Sequence, residues 1–313
     1  MQPKVGVARD FGQVTRVLCF VGMGWAFGTL HTELSKFMHA RGVICDLLDW
    51  SRIYSRDEIQ MMSRSYDYIY SVTGEAWPLT DSYGIPHEKI IVVAHGDYDI
   101  HHALETRPLE EFDRFAGYGV VSGYLRDLSA QLGVKRVPTI VRLGINYRRF
   151  LSPVAEALRV VGYGGSMFRD NNGGVDWKRG NLAKQATESA GLVFNPAGEF
   201  HFLAMPQYYR SVDAVVVSSS REGYGLPAME AAAAGRLVIS TPVGGFPQQA
   251  SYGAGIVAPI EADDFTTFVT EKLAYFKNRP REYFEICSET QAAARRLDWE
   301  YVLDEWIELF ARP

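Results

Sequence analysis

The most informative stretch of this chain is Ser218-Ser-Ser-Arg-Glu222-Gly-Tyr-Gly-Leu-Pro-Ala-Met-Glu230-Ala-Ala-Ala-Ala-Gly235. The apolar run at 214–217, just before it, is short and β-branched, which predicts a buried strand. A Gly-x-Gly turn follows, and an alanine-rich run with Pro227 near its start predicts a helix. A strand, a glycine turn and a helix N-terminus together predict an anion site, because the free N–H groups and the helix dipole point at it.

Two carboxylates, Glu222 and Glu230, lie eight positions apart around this turn. They do not bind phosphate, but an ionised glutamate accepts hydrogen bonds from the hydroxyls of a sugar or a ribose. The segment resembles the Glu-x7-Glu signature of retaining glycosyltransferases of the GT-B fold, family 4 in particular, and the resemblance continues through residues 236–245. An ordinary strand–turn–helix unit with a surface glutamate pair is the alternative interpretation.

The resemblance implies an α/β fold of GT-B architecture, in which two Rossmann-like doubly wound domains face each other across a cleft. Strand and helix patterns alternate along both halves, as such sheets require. Strands are predicted at 17–21, 43–48, 66–72, 90–94 and 118–122, and again at 158–163, 192–194, 214–217, 238–240 and 255–257.

Three segments are expected from this alternation and from the resemblance. An acceptor-binding domain covers residues 1–151, and a nucleotide-sugar-binding domain covers residues 152–296. A last helix within residues 297–313 packs back on the first domain, as GT-B enzymes imply. A terminal helix that packs on its own domain would show the same apolar face.

Composition limits the classes of function. The chain has 313 residues and a formal net charge of −5, with a pI of about 5.8. An acidic balance argues against broad nucleic-acid binding. Three cysteines without paired spacing favour free thiols in a reducing compartment. With no signal peptide or membrane-length apolar run, we expect a cytoplasmic protein, and peripheral attachment to the inner face of a membrane stays open.

Cations near a predicted helix start are candidates for holding the diphosphate of a nucleotide-sugar donor, which needs positive charge and helix N-termini. Lys178 and Arg179 stand before Gly180, where the family usually has a lysine before a glycine. The family's usual arginine after the first strand of this domain is missing near Tyr163, and Arg169 is a candidate replacement. A solvated basic helix start is the alternative.

The resemblance assigns roles to residues of the signature. Glu222 matches the glutamate at the donor sugar and is assigned as catalytic, whereas Glu230 matches the glutamate that accepts hydrogen bonds from ribose. The backbone amides of Gly223, Tyr224, Gly225 and Leu226 face the sugar or the phosphate.

Residues of the first half complete the predicted site. His95 follows an apolar run and matches the histidine that GT-B enzymes place at the cleft, so it is assigned as catalytic; a packing or loop role is the alternative. Gly24 lies in the turn that faces the diphosphate in the family. Trp25 and Phe27 are candidates for an aromatic platform under a sugar, although Phe27 suits a core position equally well.

No cofactor is expected beyond the donor itself, and metal is expected to be dispensable, as in the family. Segment 95–102 contains Asp-x-Asp and several histidines, so a divalent-ion site is an alternative there. A cluster that binds acceptor hydroxyls is the preferred interpretation of that segment.

The predicted function is therefore that of a retaining glycosyltransferase, which moves a sugar from a UDP- or GDP-sugar to a hydroxyl of a glycan or glycoconjugate acceptor. Two alternatives remain at this level. A nucleotide-sugar epimerase on the same fold would need further acids and bases in the cleft. A non-catalytic sugar-binding or scaffold protein would suit the missing arginine.

Overall fold

The computed structural model describes residues 15–165, 167, 176–198 and 200–311, apart from the side chains of Trp25 and Ala26. Within this part of the chain the strands form two parallel sheets. The first sheet has the order β2-β1-β3-β4-β5-β6. Its strands are β1 (Arg16–Val21), β2 (Ile44–Asp49), β3 (Tyr68–Val72), β4 (Ile90–Ala94), β5 (Gly117–Val120) and β6 (Thr139–Ile140).

The second sheet has the order β11-β10-β9-β7-β8. Its strands are β7 (Val160–Tyr163), β8 (Val193–Pro196), β9 (Ala214–Val217), β10 (Leu237–Ser240) and β11 (Ile256–Val257). Every residue of β9 is buried, and Val216 of β9 pairs in register with Ile239 of β10. Burial on both faces is what a short, continuous β-branched run predicts for a central parallel strand.

Both sheets share one topology. In each, the first strand lies centrally, the second strand lies on one side of it, and the third and fourth lie on the other. The connections therefore diverge between β1 and β3 in the first sheet and between β7 and β9 in the second. Ligands of open α/β sheets bind at the carboxyl ends of the strands at such a switch point, and the signature turn directly follows β9.

Helices connect the strands. Those of the first half are α1 (Trp25–Ala40), α2 (Arg56–Ser63), α3 (Trp77–Asp81), α4 (Asp97–Thr106), α5 (Gly123–Gln131) and α6 (Tyr147–Phe150). Those of the second half are α7 (Gly180–Ser189), α8 (Met205–Arg210), α9 (Leu226–Ala233), α10 (Phe246–Ser251), α11 (Ala262–Lys277), α12 (Pro280–Ala294) and α13 (Trp299–Ala311).

The last helix, α13, packs against the first sheet. The Trp306 indole nitrogen donates to the carbonyl oxygen of Arg142 at 2.8 Å, and its ring lies 5.7 Å from that of Tyr70 in β3. Glu305 accepts hydrogen bonds from the Arg142 backbone nitrogen at 2.8 Å and from its Nε at 2.6 Å. Helix α13 thus packs on the first half of the chain. The domain boundaries at 151/152 and 296/297 stay predictions.

The cysteines and the helices bear on two further expectations. Cys19, Cys45 and Cys287 are buried free thiols, as their spacing predicts. In the described part of the chain, no helix combines the length and the apolar composition that a membrane crossing requires.

Candidate functional site

The signature segment folds as a strand, a glycine turn and a helix. Gly225 caps α9 with a φ of +94°, a left-handed conformation that favours glycine because it lacks a Cβ. Pro227 lies in the first turn of α9, where its missing N–H removes no helical hydrogen bond. The turn therefore brings the first amides of α9 to the carboxyl end of β9, an arrangement that can hold an anion.

Glu222 lies at this turn in an ion pair. Its Oε1 accepts from Lys178 Nζ at 2.5 Å and from Ser219 Oγ at 2.7 Å. Both charged side chains are largely buried, with 17% and 16% of their surface exposed for Lys178 and Glu222. The contact joins a predicted phosphate-binding cation directly to the predicted sugar-binding carboxylate, so diphosphate and sugar of one ligand could be held side by side.

The Arg179 side chain already donates to two backbone carbonyl oxygens. Its Nε donates to the carbonyl oxygen of Ser218 at 2.6 Å, and its Nη1 donates to that of Ile260 at 2.7 Å. Its backbone adopts a left-handed φ of +52° at the start of α7, which is uncommon for a residue with a Cβ. The guanidinium therefore ties the segment after β9 to the segment after β11. Its buried Nη2 has no hydrogen-bond partner among the described residues, so the phosphate-binding role of Arg179 stays a prediction beside that of Lys178.

Glu230 lies on α9 and accepts a hydrogen bond from the Tyr209 hydroxyl at 2.8 Å. Burial raises the pKa of its carboxyl to about 7, although Tyr209 and the charge of Arg149 oppose the shift. Glu230 is thus close to half-protonated at neutral pH, and a partner that prefers the ionised form, such as a pair of ribose hydroxyls, would shift this balance.

His95 follows β4 and belongs to a buried chain of hydrogen bonds. Its Nε2 lies 2.8 Å from the Tyr70 hydroxyl, which lies 3.0 Å from Nε2 of His31. Nδ1 of His31 lies 2.9 Å from the carbonyl oxygen of Phe27. Burial lowers the pKa of His31 to about 4 and holds the pKa of His95 well below its ordinary value, so both rings are neutral near pH 7.

The direction of each hydrogen bond in this chain follows from the Phe27 carbonyl, which can only accept. His31 therefore carries its proton on Nδ1, and its Nε2 accepts from the Tyr70 hydroxyl. The Tyr70 oxygen then accepts from Nε2–H of His95, which leaves the lone pair of that histidine on Nδ1. This atom is buried and has no hydrogen-bond partner among the described residues, so His95 can accept from a hydroxyl but cannot donate to a phosphate.

The two halves of the predicted site meet at His95. A Cβ built on Gly223 would lie 1.7 Å from the carbonyl oxygen of His95, so the signature turn packs directly on the segment after β4. Beside this contact, Arg221 Nη1 lies 3.2 Å from Asp97 Oδ2. The structure thus brings Glu222, Gly223 and His95 to one place between the two sheets.

The remaining predicted residues lie around this contact or fall outside the residues that the structure describes. Gly24 is exposed at the start of α1, and a Cβ there would have open space around it. The Phe27 ring is partly exposed and lies 5.3 Å from the ring of His95. Tyr224 is buried, and Leu226 begins α9. The predictions for Arg169 and the Trp25 side chain fall outside the described residues.

Sequence reasoning missed several members of this region. Tyr70 lies in a strand rich in tyrosine, and no nearby residue indicates that it would contact His95. Asp97 and Arg221 lie within segments considered above, but no sequence pattern indicates that they form an ion pair. Among the described residues, no three His, Cys, Asp or Glu side chains come together in a group that could hold a metal ion. In segment 95–102, Asp99 instead accepts from the backbone nitrogens of His95 and Gly96 at 2.7 and 2.9 Å.

Comparison with known proteins agrees with this geometry. Residues 158–274 match the family model described as glycosyl transferases group 1. This part of the chain resembles a group 1 glycosyltransferase domain. The match confirms the predicted resemblance, and it includes the signature turn, Lys178 and Glu230.

Two curated relatives of this chain are glycosyltransferases. The lipopolysaccharide core biosynthesis mannosyltransferase LpsB of Rhizobium meliloti is 36% identical over 101 residues, which are 31% of this chain and 28% of that protein. The D-inositol 3-phosphate glycosyltransferase of Thermomonospora curvata is 32% identical over 132 residues, which are 41% of this chain and 30% of that protein. The matches thus span less than a third of either relative.

A solved structure is similar over nearly the whole chain. The Anabaena protein Alr3699/HepE, in complex with UDP and glucose, superposes with a TM-score of 0.68 at 14% identity and covers 96% of this chain and 100% of that chain. At this identity the likeness concerns the fold alone. It confirms the predicted α/β fold of GT-B architecture for the group 1 domain and the half that precedes it.

Proposed function

We propose that this protein is a retaining glycosyltransferase that moves a sugar from a nucleotide-sugar donor, a UDP- or GDP-sugar, to a hydroxyl of a glycan or glycoconjugate acceptor. The observation that carries the proposal is the ion pair of Glu222 and Lys178 at the glycine turn before α9. It places a carboxylate for sugar hydroxyls and a cation for a diphosphate beside the free amides of a helix N-terminus. The two glycosyltransferase relatives of the domain support the same class.

The donor would lie along the carboxyl ends of β7 and β9. Lys178 and the first amides of α9 hold the diphosphate and stabilise its charge as it leaves. Glu222 keeps a second oxygen for a hydroxyl of the sugar, since Oε1 is occupied by Lys178 and Ser219. Glu230 accepts from the ribose hydroxyls, and the lone pair on Nδ1 of His95 accepts from a further hydroxyl of the sugar.

The transfer step we propose occurs on one face of the sugar. The bond between the anomeric carbon and the leaving phosphate oxygen breaks, and the acceptor oxygen bonds to that carbon from the same face. The proton of the acceptor hydroxyl goes to the departing phosphate oxygen, so no side chain acts as a nucleophile. Lys178 supplies the positive charge that a metal ion would otherwise supply, and metal is therefore dispensable in this proposal.

Release of nucleotide tests the class of reaction. Purified protein is incubated with UDP-glucose, UDP-N-acetylglucosamine, GDP-mannose or ADP-glucose, each with and without a mixture of oligosaccharide acceptors, and free nucleoside diphosphate is measured. We expect acceptor-dependent release from a UDP- or GDP-sugar that persists in EDTA. Conversion of the donor to an epimer without release would indicate the isomerase instead.

One variant and one spectrum sharpen this test. Glu222→Gln keeps the size of the side chain and removes the charge that faces the sugar, so turnover falls while the affinity for the bare diphosphate changes little. If nucleotide binding is lost in this variant, its assignment to the sugar is wrong. Proton NMR of the glycoside product gives its anomeric configuration, and inversion relative to the donor would exclude the single-face step.

A further inference from the structure

A cavity of about 430 Å³ lies in the first half of the chain, apart from the signature turn. Its walls come from Phe20 in β1, from Trp50 just after β2, and from Gly74 and Glu75 just after β3. It therefore opens at the carboxyl ends of these strands, where α/β sheets bind ligands. Its size is within the range of about 300–1,000 Å³ that is typical of small-molecule sites.

Aromatic side chains dominate this N-terminal cavity. The side chain of Trp50 is 42% exposed, which is unusual for so large an apolar residue. Its indole packs on the backbone of Gly22, where an added Cβ would lie 2.8 Å from Nε1. Trp77, Tyr83 and Phe20 line the cavity further in. Aromatic faces carry negative charge in the ring quadrupole, so they attract the slightly positive C–H groups of a flat, non-aromatic ring.

Hydrogen-bonding groups accompany these rings. Burial together with the neighbouring charge of Asp99 raises the pKa of the Glu75 carboxyl to about 7, although the Trp50 side chain opposes the shift. His102 and Thr106 also line the cavity. A ligand whose edge carries several hydroxyls and whose faces carry C–H groups satisfies both kinds of wall, and a pyranose ring has this shape.

The charges in the cavity disfavour an anionic ligand. Arg107 lines the cavity, but its guanidinium already forms an ion pair with Asp81 and stacks on Trp77 at 4.9 Å from the ring centre. Glu75 and Asp99 are two carboxyl groups within electrostatic reach of each other. A phosphate or a carboxylate of a ligand would meet negative potential here, whereas neutral hydroxyls would not.

The N-terminal cavity is connected to the predicted transfer site through a short series of contacts. A Cβ on Gly74 would lie 3.5 Å from Cα of Asp99, whose Oδ2 accepts from the His95 nitrogen at 2.7 Å. The carbonyl oxygen of His95 in turn lies against Gly223 of the signature turn. Gly74, Asp99 and His95 thus link the cavity to the signature turn in sequence.

We propose that the N-terminal cavity binds an uncharged pyranose unit of the acceptor, with Trp50 stacked on the ring and Glu75 bonded to its hydroxyls. That a sugar binds there follows from the cavity itself, while its role as acceptor rests on the function proposed above. The acceptor is accordingly a neutral glycan at this unit, not a phosphorylated sugar or a uronic acid.

Saturation-transfer NMR on the full chain tests the proposal without any turnover. The probes are methyl α-D-glucopyranoside, methyl α-D-mannopyranoside and methyl α-D-galactopyranoside, with glucose 6-phosphate and methyl α-D-glucuronide as charged counterparts, and UDP is titrated in parallel. We expect saturation transfer to the ring protons of at least one neutral glycoside. The dissociation constant should rise about fivefold or more in Trp50→Ala, since a stacked ring contributes about 0.5–1.5 kcal/mol beyond its buried area.

Matched variants separate binding from folding. Glu75→Gln keeps the shape of the side chain and should weaken the glycoside while leaving UDP affinity unchanged. Phe284→Ala on α12 removes an equally exposed aromatic ring from the other half and should change neither. The proposal is overturned if no neutral glycoside gives transfer, if Trp50→Ala binds as wild type does, or if a charged sugar binds more tightly. Failure of UDP to bind would instead contradict the proposed donor site.

Discussion

Gly223 of the signature turn lies against the carbonyl oxygen of His95, so closely that a Cβ on Gly223 would stand 1.7 Å from that oxygen. The two residues are far apart in sequence and lie in segments that follow strands of different sheets, β4 and β9. Their contact brings the carboxylate of Glu222 to the same place as the segment that follows β4. The absence of a side chain at 223 is therefore a requirement of this contact.

Gly223→Ala should separate the turn from His95, because neither backbone can move aside as a flexible side chain would. We expect a loss of about 1–3 kcal/mol in unfolding free energy, as for overpacked interiors, together with a strong fall in transferase activity. Urea denaturation and nucleotide release measure the two effects. Gly123→Ala is the control, since its Cβ meets open space and its φ is not positive; equal effects in both variants would contradict the contact.

Lys178→Ala and Arg179→Ala should differ in kind. Lys178→Ala should weaken binding of the nucleoside diphosphate about tenfold or more, since a charge-assisted contact contributes about 1.5–3 kcal/mol. Arg179→Ala removes hydrogen bonds to the carbonyl oxygens of Ser218 and Ile260 and should mainly lower the unfolding free energy. Calorimetric titration with UDP and thermal unfolding decide the order, which is the reverse of the order that the position beside Gly180 suggests.

Glu230 should make stability depend on pH. Its folded pKa of about 7 lies above the ordinary value of 4.5, so the folded state holds a proton that the unfolded state has lost between these values. The unfolding free energy of the wild type should therefore fall as pH rises from about 4.5 to 7, relative to Glu230→Gln, by up to about 3 kcal/mol. Urea denaturation of both proteins at pH 5 and pH 8 gives the difference; a difference that does not change with pH would show that the group titrates normally.

Tyr70→Phe should disrupt the hydrogen-bond chain around His95. The change removes the hydroxyl between the two histidines and leaves two buried ring nitrogens without a partner, which costs about 1–3 kcal/mol for each. Nitrogen-15 NMR of the histidine rings should show the Nε2–H form of His95 in the wild type and a mixture of tautomers in the variant. Tyr68→Phe, two residues earlier in β3 and only partly buried, is the control. A wild-type ring spectrum in Tyr70→Phe would refute the assigned proton order.

Local patterns in the sequence determined the glycine turn, the start of α9 and every described strand except β6 (Thr139–Ile140). These features depend on β-branched runs, on Pro227 and on a glycine at a left-handed position, all of which act within a few residues. The same reasoning gave no prediction for α11 (Ala262–Lys277). In α11 the buried residues are Phe265, Val269 and Leu273, a spaced pattern without a recognisable cap at its start.

Tertiary structure alone decided the partners of the charged and polar side chains. Lys178 meets Glu222 across 44 positions, Arg179 meets Ile260 across 81, and Arg221 meets Asp97 across 124. A side chain can reach any group that the fold brings within a few ångströms, and no period in the sequence encodes which one it meets. Residue types near the turn thus indicated a site for a nucleotide sugar, while only the packing of the two sheets decided which of the charged groups there pair with each other.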